Sequence, residues 1–217
     1  MAILKSNPFG PMSGKLGGMN LKHYKKSNQQ RLTNNPDMSG VKASKLQKIQ
    51  RNKMSMAMAF LSPLSGLIKV AYRPFRKERE GFDVAKSYFM KEVLFPVEEG
   101  YDIDYGKVLV TFGDLRIPEG ILIDVDEDSE RLDIALSWED NTHQAMAYPD
   151  DSLLLVIRDA EDNRFIYFKN ITTRDALTGS VSLQSSYKTK KLHLWMAFVR
   201  PEEKRASASV YLGVLNG

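Results

Sequence analysis

LHLWMAFVR, the stretch Leu192–Arg200, decides the fold class. In a strand successive side chains point to opposite faces, so Leu192, Leu194, Met196 and Phe198 share one face and His193, Trp195 and Ala197 the other. The first set reads as core. His193 then falls on the outer face of its strand. Trp195 is either covered by another layer of the molecule or marks an interface, where tryptophan is enriched.

Outward from this strand, the second half of the chain repeats the pattern in short runs at 107–112, 120–125, 132–138, 153–158, 165–169, 180–184 and 206–213. Turn residues separate them, among them Asp140-Asn141, Pro149-Asp150-Asp151 and Glu161-Asp162-Asn163. Short strands at such spacing predict an antiparallel β-sandwich over residues 101–217. Trp138 closing an early strand, with LHLWMAFV and SASVYLGVL last, is the order of an immunoglobulin-like or fibronectin type III domain. The chain has no cysteine to staple the two sheets, which favours the fibronectin type III version. The same absence excludes disulfides, thiolate metal sites and cysteine nucleophiles.

Upstream the period changes. From about Gly40, Leu46, Ile49, Lys53, Met56, Phe60, Leu64, Leu67 and Ala71 follow three- and four-residue steps, the stripe of an amphipathic helix. Ser62-Pro63 reads in two ways: an N-cap and first helical position starting a second helix, or a single helix kinked at Pro63. Pro74 and the charged run RKERE at 76–80 close this element. Phe82, Ala85, Phe89 and Val93 then predict a further short helix ended by Pro96. Two or three helices are therefore expected in a helical region over 39–98, and the fold class is α+β. Residues 1–38 carry Gly10, Gly14, Gly17 and Gly18, Pro8, Pro11 and Pro36, and the run SNQQRLTNN. Glycine and proline punctuate regular structure, so this segment reads as an extended basic arm.

Charge supplies the functional signal. The first eighty residues hold 16 Lys and Arg against Asp37, Glu78 and Glu80, a balance of +13, while the remaining 137 have a balance of −9. The net +4 thus conceals two oppositely charged parts. Lys15, Lys22, Lys25, Lys26 and Arg31, interleaved with His23 and Tyr24, have the make-up of a phosphate-tracking segment with an aromatic ring for stacking. Lys42, Lys45, Lys48 and Arg51 fan out beside the helical stripe. These nine cations are the candidate contacts to a polyanion or a neighbouring subunit, and Tyr24 and Trp195 the candidate interface aromatics. No helix-turn-helix, zinc-finger or RNA-recognition signature points to base-specific readout.

Other motifs carry less. Gly10-Pro-Met-Ser-Gly14-Lys15-Leu16 has three residues between its glycines and Leu16 where a phosphate loop needs Ser or Thr, with no preceding strand. Asp124, Asp126 and Asp128 begin like a calcium loop, but Ser129 and Ala135 stand where it requires Gly and Glu. His23, His143 and His193 show no ligand spacing, so no metal and no cofactor are expected. Met54, Met56 and Met58 beside Phe60 read as core packing. The apolar run from Met54 to Tyr72 is interrupted by Ser62, Pro63, Ser65, Gly66 and Lys69, so no membrane span is expected there. The opening MAILKSNPFG has no apolar stretch of a secretory signal, which predicts a protein made in the cytoplasm and either kept there or exported by a route without a cleaved signal.

The chain resembles an uncharacterised bacterial family, typical of Bacteroidetes and known as a domain of unknown function. The resemblance rests on Phe9-Gly10, the motif Ser13-Gly14-Lys15-Leu16-Gly17, Phe60-Leu61-Ser62-Pro63-Leu64, Gly81-Phe82 and Ser87-Tyr88. It continues through Tyr101-Asp102-Ile103-Asp104-Tyr105, Trp138 and Ser209-Val210-Tyr211-Leu212-Gly213. Where members carry a Trp-Lys-Gly-like element, Leu21-Lys22-His23 stands here. The resemblance implies this layout and a non-enzymatic protein. The expectation is a structural or assembly protein, a homo-oligomer or part of a larger assembly, whose arm contacts a neighbouring subunit or, without sequence preference, nucleic acid. The alternative is a surface or carbohydrate-binding module built on the sandwich.

Overall fold

The computed structural model describes residues 2–4, 12–37, 40, 42–72, 80–98, 100–126, 130–200, 202 and 204–216. The run 8–11, Pro74 with residues 76–79, and Asp128 and Ser129 lie outside the described residues. Helices combine with several antiparallel sheets, and the chain divides into two compact units, Met1–Lys45 and Leu46–Gly217.

In the first unit, β1 (Ala2–Leu4), β2 (Gly14–Leu16), β3 (Met19–Tyr24) and β4 (Gln29–Asn34) form an antiparallel sheet in the order β1-β4-β3-β2. This corrects the extended arm expected over 1–38. Of the glycines that argued against regular structure, Gly14 lies within β2 and Gly17 and Gly18 build a turn. Leu16 pairs with Met19, which leaves Gly17 and Gly18 as a two-residue hairpin loop. Gly17 has φ +55, a conformation in which a side chain is strained. The second turn ends at Asn28, whose φ of 47 is also left-handed, a region asparagine tolerates.

In the second unit, α1 (Lys45–Leu61) runs through a 3-10 turn at Ser62–Leu64 directly into α2 (Ser65–Ala71). Pro63, lacking an N–H, sits in that tight turn, and neither junction uses a side-chain cap, so of the two readings of Ser62-Pro63 the N-cap one does not hold. By length and composition alone, the 27-residue path Lys45–Ala71 is apolar enough to cross a membrane, with 39% of its most apolar window buried. Ala57, Phe60, Leu61, Leu64, Leu67, Ile68 and Ala71 line a protein core, which accounts for the apolar second half. The stripe expected to begin at Leu46 packs on the core only from Met56, which is half-buried against it: residues 45–55 include no buried side chain, and Leu46 is 74% exposed. The expected third helix is α3 (Gly81–Tyr88), continued by a π-turn at Phe89–Val93. Any Cβ at Gly81 would collide with the carbonyl oxygen of Tyr72, so only glycine lets α3 start against the end of α2. A hairpin of β5 (Leu94–Val97) and β6 (Gly100–Ile103) follows, with Pro96 inside β5.

The remaining strands form two sheets. One has the order β10-β9-β12-β13, with β14 also on β12, where β9 is Ser152–Asp159, β10 Arg164–Phe168, β12 Leu192–Arg200, β13 Arg205–Ala206 and β14 Val210–Leu215. The other has the order β11-β8-β7, with β7 at Leu122–Asp126, β8 at Leu132–Ser137 and β11 at Thr178–Leu183. The run 107–112 is not the strand expected. Its backbone is tied off by the Ser209 hydroxyl, which accepts from Val110 N at 2.9 Å, and by the Ala71 carbonyl, which accepts from Phe112 N at 2.9 Å.

β9 and β12 are buried on both faces. Leu153, Leu155 and Ile157 join Leu192, Leu194, Met196 and Phe198 in a core with Leu132, Ile134 and Leu136 of β8 and Val181 and Leu183 of β11. Leu154 and Val156 join Trp195, Ala197 and Val199 in a separate core with the helices. At roughly 25 cal/mol per Å² of apolar surface removed from water, burial on both faces stabilises these strands from two sides. A buried ion pair ties the surrounding loops. Arg174 and Asp151, both side chains fully buried, meet at 2.9 Å. The guanidinium also donates to Asn141 Oδ1 at 2.8 Å and to the Arg116 carbonyl at 2.9 Å, and lies 3.9 Å from the Phe198 ring centroid. Trp138 Nε1 donates to the Arg174 carbonyl at 2.8 Å.

Candidate polyanion-binding face

The register of the N-terminal sheet collects the expected cations. Lys22 stands directly opposite Arg31, Lys15 opposite Asn20, Asn20 opposite Thr33, and Tyr24 opposite Gln29. Directly opposed residues share a face, so Lys15, Lys22, Tyr24 and Arg31 lie on the same side of the sheet, and Met19, Leu21, His23 and Leu32 on the other. Lys15, Lys22 and Tyr24 are exposed and Arg31 is half-buried. The Arg31 guanidinium carbon sits 4.8 Å from the Tyr24 ring centroid, a cation–π contact that steadies both. Lys25 and Lys26, both exposed, occupy the turn joining β3 to β4 beside Tyr24. On the opposite face His23 Nε2 bonds Asn28 Oδ1 at 3.1 Å, so His23 belongs to the turn and not to the basic face.

Lys42, Lys45, Lys48 and Arg51 are exposed, Lys42 ahead of α1 and the others on its first turns. Lys53 instead lies over Tyr101, Nζ 4.3 Å from the ring centroid.

Trp195 is fully buried, covered by the helices, so its surface is not available as an interface aromatic. Its ring lies edge-on to Phe60, centroids 6.3 Å apart. His193 is likewise not on an outer face: it is 5% exposed, on the same side of the sheet. It stacks on Tyr105 with centroids 3.7 Å apart, and its Nδ1 bonds Tyr211 Oη at 2.7 Å. Burial, with Arg158 and Lys191 nearby, pushes the imidazole down to about 4. Arg158, directly opposite His193 in the sheet, completes the group. It donates from Nη1 to Tyr105 Oη at 2.6 Å and from Nε and Nη2 to Asn163 Oδ1 at 3.2 and 2.8 Å. Sequence reading missed Tyr105, Arg158 and Tyr211, because only the pairing of β9, β12 and β14 brings them together. Arg158 ends the unbroken apolar run Leu153–Ile157, and nothing in that run marks it as a site residue.

Asp124 and Asp126 are exposed on β7, in a strand pair and not a loop between helices. Among the described residues, no group of three or more His, Cys, Asp or Glu is placed to hold a metal.

Comparison with known proteins places these features in context. Fibronectin-type domains are structural neighbours: the FN5 domain of Drosophila Lar is 15% identical, with a TM-score of 0.28, and the match covers 46% of this chain and 95% of that one. The FN1-FN3 domains of chicken CNTN1 are 11% identical, with a TM-score of 0.30, over 49% of this chain and 34% of that one. No curated protein matches the chain. Residues 17–213, which take in β3, β4 and almost all of the second unit, match the family of unknown function DUF6266, and the chain belongs to that family.

Proposed function

We propose that the chain is a non-catalytic binding protein whose N-terminal sheet presents a basic face to the phosphate backbone of nucleic acid. The observation that carries this reading is the placement of Lys22 directly opposite Arg31. Like charges facing one another across strands oppose pairing, and an anion lying over both relieves that repulsion. Lys15, Lys25 and Lys26 extend the positive surface, and Tyr24 offers an exposed ring on which a base can stack. No helix-turn-helix, zinc-finger or RNA-recognition signature accompanies the face, so the binding proposed is independent of sequence. Reaching nucleic acid accords with residence in the cytoplasm. In this reading Lys45–Ala71 is a core element and not a membrane span. The sheets of β7 to β14 form a fibronectin type III-like sandwich, supported by their shared core, that serves as scaffold.

Fluorescence anisotropy with a short dye-labelled DNA or RNA of mixed sequence tests the proposal. Five phosphate contacts give a slope of about −3 to −4 in log K against log salt for a single strand. Absence of binding at low salt sinks the reading, as does equal binding by Lys22→Glu/Arg31→Glu.

A second reading follows from the −9 balance of residues after Glu80, which offers an acidic surface to the same face in another copy. Light scattering at low and high salt separates the two, since self-association by this route requires no nucleic acid and disperses with salt.

A further inference from the structure

Among the described residues of the second unit two arginines are buried, and they are treated differently. Arg174 is matched by the Asp151 carboxylate. Arg158 is 8% exposed, yet among the described residues it makes no ion pair, and its only hydrogen-bond acceptors are the neutral oxygens of Tyr105 and Asn163. A guanidinium does not lose its proton in a protein, so burial leaves its charge to be matched. Phe60 and Tyr105, each with its ring centroid 5.3 Å from the guanidinium carbon, offset part of that cost through their faces. They supply no acceptor for the N–H groups on Nη1 and Nη2 that Tyr105 and Asn163 leave unused.

A second donor in the same cluster is also without an acceptor. Trp195 Nε1 is buried and makes no hydrogen bond among the described residues. Its ring centroid lies 6.3 Å from that of Tyr105 and 6.2 Å from that of His193. The cluster therefore combines a fixed positive charge, spare N–H donors and no carboxylate, and half-buried Tyr105 and Tyr211 border it.

We propose that Arg158, with Tyr105, His193, Trp195 and Tyr211 around it, forms a binding site for a compact oxyanion, a carboxylate or phosphate group, received across Nη1 and Nη2 of the guanidinium. The planar fork of arginine suits the two oxygens of such a group. This site lies in the second unit and does not depend on the basic face of the N-terminal sheet.

The test uses the full chain at neutral pH, with sodium acetate and sodium phosphate titrated separately against sodium chloride at matched ionic strength. Melting temperature and the two tryptophan indole N–H resonances are followed. One of the two anions is expected to raise the melting temperature saturably, by roughly 3–5 °C at ten times its half-saturating concentration. The Trp195 indole resonance moves with it, while that of Trp138, bonded to the Arg174 carbonyl, stays. A response to acetate alone assigns the site to carboxylates, and to phosphate alone to phosphate groups. Lys22→Glu/Arg31→Glu keeps the response; Arg158→Lys and Arg158→Met lose most of it. No saturable response in the wild-type chain overturns the proposal, and so does an undiminished response in the Arg158 variants. Should those variants fail to fold, the wild-type spectrum decides: a Trp195 indole that stays fixed while the melting temperature rises places the anion elsewhere and defeats the site.

Discussion

The two units of the chain solve the problem of stability in opposite ways. Leu46–Gly217 buries apolar side chains on both faces of β9 and β12 and has two cores. Among the residues of Met1–Lys45 whose side chains are described, only Gln30 is buried. That sheet is held by its hairpin pairings and carries Lys15, Lys22, Lys25 and Lys26 at exposed positions. Dense packing and the proposed binding surface thus belong to different units. A substitution in one unit should leave the property of the other unchanged.

The hardest test of that separation is Arg174→Met. It leaves the fully buried Asp151 carboxylate with the Tyr148 N–H at 3.1 Å and the Arg200 guanidinium at 3.6 Å in place of its close partner, and a buried pair broken from one side costs roughly 3–5 kcal/mol. Urea denaturation should show this loss, with the salt-dependent nucleic-acid affinity of the surviving folded protein unchanged. A reduced salt slope in that variant would break the separation.

Next comes the imidazole of His193. Its folded value of about 4 lies below the ordinary value of 6.5, so the unfolded chain binds the proton more readily. Stability from this group is full above pH 6.5 and falls as pH drops toward 4. The loss amounts to about 2–3 kcal/mol by the lower end of that window. His193→Gln should flatten this part of the stability–pH curve. An unchanged curve would mean that another group titrates there.

On the other unit, Lys22→Glu/Arg31→Glu should weaken nucleic-acid binding by roughly ten- to a hundredfold at low salt, with a urea midpoint unchanged. Tyr24→Ala is expected to remove about 1–3 kcal/mol of binding to single strands and much less to duplex, where the bases are already stacked. The smallest effect is reserved for Leu46→Glu. An apolar residue exposed at the start of α1 should change stability by no more than about 0.5 kcal/mol, and a larger loss would show that the helical stripe is packed further upstream.

How much of this was legible in the residues depends on where burial lies. LHLWMAFVR was read with its bounds right and its side chains sorted correctly into two sets, because successive residues of any strand point to opposite faces; His193 as an outer-face residue was wrong. Which face was covered on the His193 and Trp195 side was not legible, since a strand buried on both faces carries no polar side to mark the exterior. The stripe over 46–71 was right in period and wrong in extent: periodicity marks the side of a helix that can pack, not the length over which something packs against it. The N-terminal sheet was missed because glycine content was weighed as a breaker. Gly17-Gly18 between Lys15-Leu16 and Met19-Asn20 is also a hairpin turn signal, and the alternation of Asn20, Lys22 and Tyr24 with Met19, Leu21 and His23 supported it. The cations of the basic face were thus recognised as a group, while the geometry that makes them a face was not.

The burial of β9 and β12 on both sides has a consequence for how the second unit unfolds. The helical layer cannot peel away without wetting Trp195 and Val156, whose strands hold the opposite core in place. Neither core is therefore a separate cooperative unit. Calorimetry should record a single transition for Leu46–Gly217, with van't Hoff and calorimetric enthalpies in agreement, and the most protected backbone amides should sit in the ladder between these two strands.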